Sequence, residues 1–328
     1  MDSLIFAINA VCPIIIMVAI GYLLKKFGYM DAAFAKAANR LVFHVFLPVM
    51  LFLNVYKIDD IGRIDIGFVL YAAGVLVVVF FLAIPAVLLL TKEPSRRGVL
   101  LQASFRSNYA LIGIPLAKSL FGGEGVAAAS LLSAVFIPML NILAVISLST
   151  FREGGEAPSI KKILGNILKN PLIRSIVLGL CALGLRAVLV KYGITFRLSS
   201  VTPIYTVLEY LCDLATPLAL LVLGAQFEFS AVKGLKKEII FGTLMRTVIV
   251  PILGIGVAYF VFGNHFGGAH FATFIAAFAT PVAVSSVPMA QEMDGDVTLA
   301  GQMVVWTTLF SVISVFTASF LLKSAGVF

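Results

Sequence analysis

Residues Ser104–Gly123 read SFRSNYALIGIPLAKSLFGG, a run that is apolar apart from Arg106, Ser107, Asn108, Lys118 and two further serines, with Pro115 in its middle. A second stretch, Ala279–Asp296, reads ATPVAVSSVPMAQEMDGD. Set 173 residues apart, the two align Pro115 with Pro288, Ala117 with Ala290 and Gly122 with Gly295, and they place Asn108 opposite Pro281. Both positions fall about ten residues into an apolar run, roughly 15 Å at the helical rise and so near the centre of a bilayer. Thr280 has the chemistry of a helix cap and Pro281 suits a first helical position. Ser107 and Asn108 offer caps at the matching place. Each run is therefore expected to be two half-helices, 98–106 then 108–121, and 270–279 then 281–293.

The rest of the chain places these runs in lipid. Of its 328 residues, 61% are hydrophobic and only 12% charged, and the mean hydropathy is +1.07. Soluble domains carry about twice that share of charge. The first apolar run follows Met1, Asp2 and Ser3 with no basic leader or small-residue cleavage site, so it is expected to be a retained span. Cys12, Cys181 and Cys212 lie in apolar runs without metal-like spacing and read as packing residues. No cofactor or metal site is expected, and the net charge of +8 follows membrane topology, not a nucleic-acid partner.

Runs of about 20 residues, enough to cross the hydrocarbon core as helix, lie near 4–24, 39–56, 66–90, 98–121, 126–149, 170–189, 203–224, 238–262, 270–293 and 298–322. Ten spans in an all-α membrane protein are expected, since the alternating pattern of a barrel is absent. Connections on one side collect fourteen Lys and Arg, among them Lys25, Lys26, Arg40, Arg96, Arg152, Lys233, Lys236 and Lys237; the other side collects seven, including Lys57, Arg63 and Lys191. The positive-inside rule then puts both termini outside the cell membrane.

The two halves of the chain resemble each other. Pro13 and Gly21 match Pro171 and Gly179, Pro48 matches Pro217, Pro85 matches Pro251, and Pro115 matches Pro288, at offsets of 158, 169, 166 and 173 residues. The expected organisation is a first five-helix repeat over 1–150, a cytoplasmic linker over 151–169 and a second repeat over 170–328. Five spans per repeat force opposite orientations, the inverted-repeat plan of secondary transporters.

In that plan the second half-helices start at one central level from opposite directions, and their free N–H groups and positive ends favour an anion. Arg106 adds a full charge, which at mid-bilayer needs a cavity or a partner. A proline in one membrane helix is commonly a kink and a lone Asn commonly bonds helix to helix. The matched placement in both halves favours a binding site made of Arg106, Ser107, Asn108, Tyr109, Thr280, Pro281, Val282 and Ser285. Coupling or gating candidates are Asp213, Arg246, Asn54, Pro115 and Pro288. Asp213 could carry a proton or pair with an arginine, Arg246 could serve the substrate or snorkel, and His44 reads as a packed neutral side chain. Walker loops, His-Glu-x-x-His helices and Gly-x-Ser-x-Gly elbows are absent, so neither an enzyme nor an ATP-driven pump is expected.

SNYALIGIPLAKSLFG resembles the fourth-span signature of the auxin efflux carrier family, and ATPVAVSSVPMAQEMDGD is similar to that family's ninth-span segment. FLPVMLF and TPLALLVLG fit its second and seventh spans. The resemblance covers essentially the whole chain and is of the compact prokaryotic type. It implies ten helices with broken, crossing helices 4 and 9, a fold like that of sodium/bile-acid symporters, a scaffold of spans one, two, six and seven, and a homodimer. It also implies a carrier of small organic anions such as malate, malonate or auxin, and the expected function is a secondary carrier working by alternating access; H⁺ coupling through Asp213, Na⁺ coupling and uniport driven by the membrane potential stay open. Arg106 and Ser107 stand where plant members often have Pro before the Asn, and the extra charge favours a more highly charged anion. A channel-like or ligand-sensing protein on the same fold is the alternative.

Overall fold

The computed structural model describes residues 2–58, 65–151 and 160–327. Arg63 and Arg152, both used in the charge count, and residues 152–159 of the stretch joining the halves lie outside the described residues. The helices in chain order are α1 (Asp2–Lys26), α2 (Ala32–Tyr56), α3 (Ile66–Leu90), α4 (Pro94–Phe105), α5 (Tyr109–Thr150), α6 (Ile160–Lys169), α7 (Pro171–Lys191), α8 (Thr202–Gln226), α9 (Lys236–Phe262), α10 (Gly268–Phe278), α11 (Ser286–Glu292) and α12 (Val297–Ser324). Among the described residues no strand forms, and seven helices (α2, α3, α5, α7, α8, α9 and α12) are long and apolar enough to cross a membrane. This is a multi-pass, all-helical membrane protein. In lipid, backbone N–H and C=O groups must pair within the protein, which a helix achieves on its own. The outer faces suit that solvent: Leu89 and Phe260 are 89% and 85% exposed.

Several helix starts follow the caps in the sequence. Asp65 accepts from Phe68 N at 3.1 Å, Asn170 from Leu172 N at 2.9 Å and Asp296 from Leu299 N at 2.8 Å. The expected run 66–90 coincides with α3. The expected division between 98–121 and 126–149 becomes a kink inside α5, where Phe121 leaves helical geometry and Gly122 takes φ 58°, a conformation glycine adopts without strain.

Three expectations need correction. Helix does not resume at Pro281 but at Ser286, because the intervening backbone is committed to other partners described below. Thr280 caps nothing: its hydroxyl donates back to Ala276 O at 2.7 Å. The joining stretch, expected only to link the halves, is not among these: its residues 160–169 form α6, whose Ile167 packs on the core. His44, expected to be packed, is exposed, with Nδ1 3.9 Å from Glu292 and 3.0 Å from Arg40 O.

Helix contacts rely on small residues. Gly21 of α1 lies against the Leu221 carbonyl of α8, and Gly224 of α8 against the Val18 carbonyl of α1; a Cβ at either would overlap that backbone. Gly179 of α7 approaches Phe52 O of α2 in the same manner, 3.1 Å from where its Cβ would sit. Such residues let membrane helices approach closely. By contrast α10 is apolar all round and Phe271–Phe278 are all buried, which places it at the centre of the molecule. Gly224→Leu is expected to lower the melting temperature and the monodisperse yield in detergent, at a cost of about 1–3 kcal/mol or more. Gly74→Leu, where a Cβ meets nothing, is the matched control and should melt like the parent chain.

Candidate functional site

The chain breaks twice in its interior, between α4 and α5 and between α10 and α11, and the two breaks pair with each other. Asn108 N–H donates to Pro281 O at 2.7 Å and Ala283 N–H to Arg106 O at 3.3 Å, with Ser107 and Val282 opposed as an isolated antiparallel bridge. Asn108 and Pro281, matched by the sequence offset, are thus bonded in space. Val282 N–H is taken by Thr307 Oγ1 at 3.1 Å. The N–H groups after Pro281, expected to face an anion, are therefore taken within the protein, Val282 by α12 and Ala283 by the other break. Those of the other break differ: the first turn of α5 (Tyr109, Ala110, Leu111) has amide hydrogens that its own helix cannot use.

Two arginines serve this crossing in different ways. Arg246, fully buried, donates from Nε to Thr280 O at 2.8 Å, from Nη2 to Ala277 O at 2.8 Å and from Nη1 to Phe105 O at 3.2 Å. It thereby satisfies carbonyls at the C-terminal ends of both α4 and α10, where a cation also complements the helix dipoles. Arg106, 3% exposed, donates from Nη2 to Asn141 Oδ1 and Ser285 Oγ, each at 2.9 Å, and its Nη1 lies against Met289 Sδ. These partners are all neutral. A buried guanidinium without a carboxylate retains most of its attraction for an anion, because desolvation is uncompensated by an opposite charge.

Arg106 opens onto a cavity of about 720 Å³, within the size range of small-ligand sites. Of the residues expected from sequence, Arg106, Ser107, Asn108, Tyr109, Ser285, Asn54, Asp213 and Pro115 line it. Thr280, Pro281, Val282, Arg246 and Pro288 do not line it; the first four form the crossing behind it. The Ser107 hydroxyl and the Asn108 amide nitrogen are buried with no hydrogen-bond partner. Tyr109 is different, since its hydroxyl donates to Ala129 O at 2.7 Å and only its ring faces the cavity. Asp213 is exposed to the cavity and is the one carboxylate among its lining residues.

Sequence reasoning missed Asn141, which also donates to Ile137 O at 2.9 Å and so presents its carbonyl oxygen to Arg106. Its signal was a lone amide in the apolar run PMLNILAV. Met289 was equally invisible, because nothing in sequence predicts a thioether against a guanidinium.

A family model described as "Membrane transport protein" matches residues 6–318. The chain belongs to this family. It is the auxin efflux carrier family that the fourth-span residues resemble. An uncharacterized transporter of Methanothermobacter thermautotrophicus is 24% identical over 325 residues, covering 93% of this chain and 95% of the relative. An uncharacterized transporter of Methanocaldococcus jannaschii is 24% identical over 315 residues, with the same coverage. Family membership identifies a membrane transporter, and the two arginines then separate by role. Arg246→Gln leaves buried carbonyls without donors, at about 1–3 kcal/mol for each, and should lower the melting temperature markedly. Arg106→Gln keeps a donor for Asn141 and Ser285 and should melt close to the parent. Equal losses in a detergent melt would show that both arginines are structural.

Proposed function

We propose that this protein is a secondary carrier of small organic anions, dicarboxylates such as malonate or malate in the first place. The observation that carries the reading is Arg106, buried in the cavity wall with neutral partners only, beside a Ser107 hydroxyl and an Asn108 amide that have none. One carboxylate would accept from Arg106 and Asn108, and charge-assisted bonds of this kind are the strong ones. A monocarboxylate such as indole-3-acetate would use the same donors with less charge. Asp213 on the opposite wall is the proposed site of a coupling proton.

The reading includes ten spans in two inverted repeats of five, in the cell membrane with both termini outside, and a homodimer. Contacts between equivalent residues support the repeat. The sequence offsets carry Gly21 to Gly179 and Phe52 to Leu221, and the contacts Gly21–Leu221 and Gly179–Phe52 are therefore the same contact made twice. Alternating access draws support from a cluster of three amides. Asn39 Nδ2 of α2 donates to Gln226 Oε1 of α8 and to Gln291 Oε1 of α11, each at 2.9 Å, while Gln291 Nε2 donates to Lys36 O at 3.1 Å. The cluster sits at the end that carries Lys25, Lys26 and Arg40, the cytoplasmic end by the positive-inside rule. Asn54 and Asp213 line the cavity away from that cluster, which supports an outward-open reading with the amides as the inner closure.

In proteoliposomes, saturable malonate uptake that is accelerated by internal malonate is the expected result, as a channel would not show such counterflow. Asn108→Ala should reduce it at least tenfold, and Arg106→Gln should do so for malonate more than for a monocarboxylate. Undiminished uptake by a well-folded Asn108→Ala protein would refute the site. The amide cluster has its own test, with Cys212 in the cavity wall as the reporter and Cys12 and Cys181 replaced by Ser. Gln291→Leu should slow labelling of Cys212 from outside by an impermeant maleimide several-fold, as the inward state gains population. An unchanged rate would remove the cluster from the gating mechanism.

A further inference from the structure

A second concavity, of about 980 Å³, lies between α9 and α12, away from the anion site. One wall is a row along α9 spaced every four residues: Lys236, Ile240, Leu244, Val248, Ile252 and Gly256. In a regular α-helix a four-residue repeat turns away by about 40° per step, so such a row would wind around the helix. Here α9 contains two π-helical segments, Met245–Ile249 and Ile252–Gly256. A π turn takes in more residues than an α turn, and the local unwinding keeps the row on one straight face. The opposite wall is aromatic and aliphatic, with Trp306, Phe310 and Ile313 of α12.

The groove is apolar along its length but not at its lysine-rich end. Lys236 lines that end, with Lys233 one turn away, and both are exposed. Seven residues deeper, about 10 Å along the helix, Thr243 lines the groove, 7% exposed as a residue, and its hydroxyl is buried there without a hydrogen-bond partner. A cation at the membrane surface, an unpartnered donor about 10 Å below it and an apolar channel beyond are, in order, complementary to a headgroup, a glycerol ester and an acyl chain. We infer that the α9–α12 groove is a binding site for one anionic phospholipid of the lysine-side leaflet. Lys236 holds the phosphate, Thr243 donates to an ester carbonyl, and one chain lies along Leu244, Val248 and Phe310. A second copy of the chain is a poorer occupant, because the row is narrow and concave and one lysine at its mouth would face another across a symmetric interface.

The test is native mass spectrometry of delipidated protein, titrated with dioleoyl phosphatidylglycerol or dioleoyl phosphatidylcholine, together with melting of the same samples. One phosphatidylglycerol should bind with clear preference over phosphatidylcholine and raise the melting temperature. Lys236→Gln should weaken phosphatidylglycerol about fivefold and leave phosphatidylcholine unchanged, whereas Val248→Trp, which fills the chain path from a lipid-exposed position, should displace both. Equal affinity of the parent protein for the two lipids would overturn the inference, as would phosphatidylglycerol binding that survives both substitutions. Neither outcome bears on the anion carrier, whose cavity shares no residue with the groove.

Discussion

The structure depends on a requirement of the solvent: backbone polar groups in a bilayer interior need partners inside the protein. Two helices of this chain stop in the middle of the molecule, and each supplies what the other lacks. Asn108 and Ala283 donate across the gap, Pro281 and Arg106 accept, and Arg246 closes the carbonyl ends of both preceding helices. Neither break is tolerable alone. The pairing also explains why Pro281 fits, since a residue with no N–H to satisfy can still offer its carbonyl.

That mutual arrangement leaves the two breaks unequal. At Ala279–Ser285 the backbone is largely consumed by the crossing and by Thr307. At Arg106–Asn108 the side chains line the cavity, where the Ser107 hydroxyl and the Asn108 amide nitrogen are buried without hydrogen-bond partners and Arg106 has neutral ones. Matched positions in the two halves of the sequence are thus used differently, with unpartnered polar side chains at the first break and a committed backbone at the second.

The sequence was most legible where a strong local rule operated. The run read near 66–90 coincides with α3 because it is apolar throughout, and the structure adds the Asp65 cap at its start; the breaks were found because polar residues and prolines recur at matching depth. The half-helix after Pro281 was misplaced for a physical reason. Cap and proline rules describe a helix that has only itself to satisfy, and here Thr280, Val282 and Ala283 have tertiary partners that win. Asn141 and Met289 stayed hidden because a lone Asn or Met in an apolar span carries no directional information. The role of Arg246 was equally beyond reach, since its three acceptors lie on two other helices more than thirty residues away in sequence.

Arg246 has a mechanical implication. One planar guanidinium binds carbonyls from the ends of α4 and α10 while itself belonging to α9, so three helices are riveted at a single buried point. Sliding or rotating any one of them against the others would strip several charge-assisted bonds at once at a fully buried point. The three bonds of Arg246 therefore favour movement of the crossing as one block. Deformation must fall on smooth surfaces instead, such as the glycine-lined seams beside α1, α2, α7 and α8, or on amide contacts like Asn39–Gln291 that can be broken and remade one bond at a time.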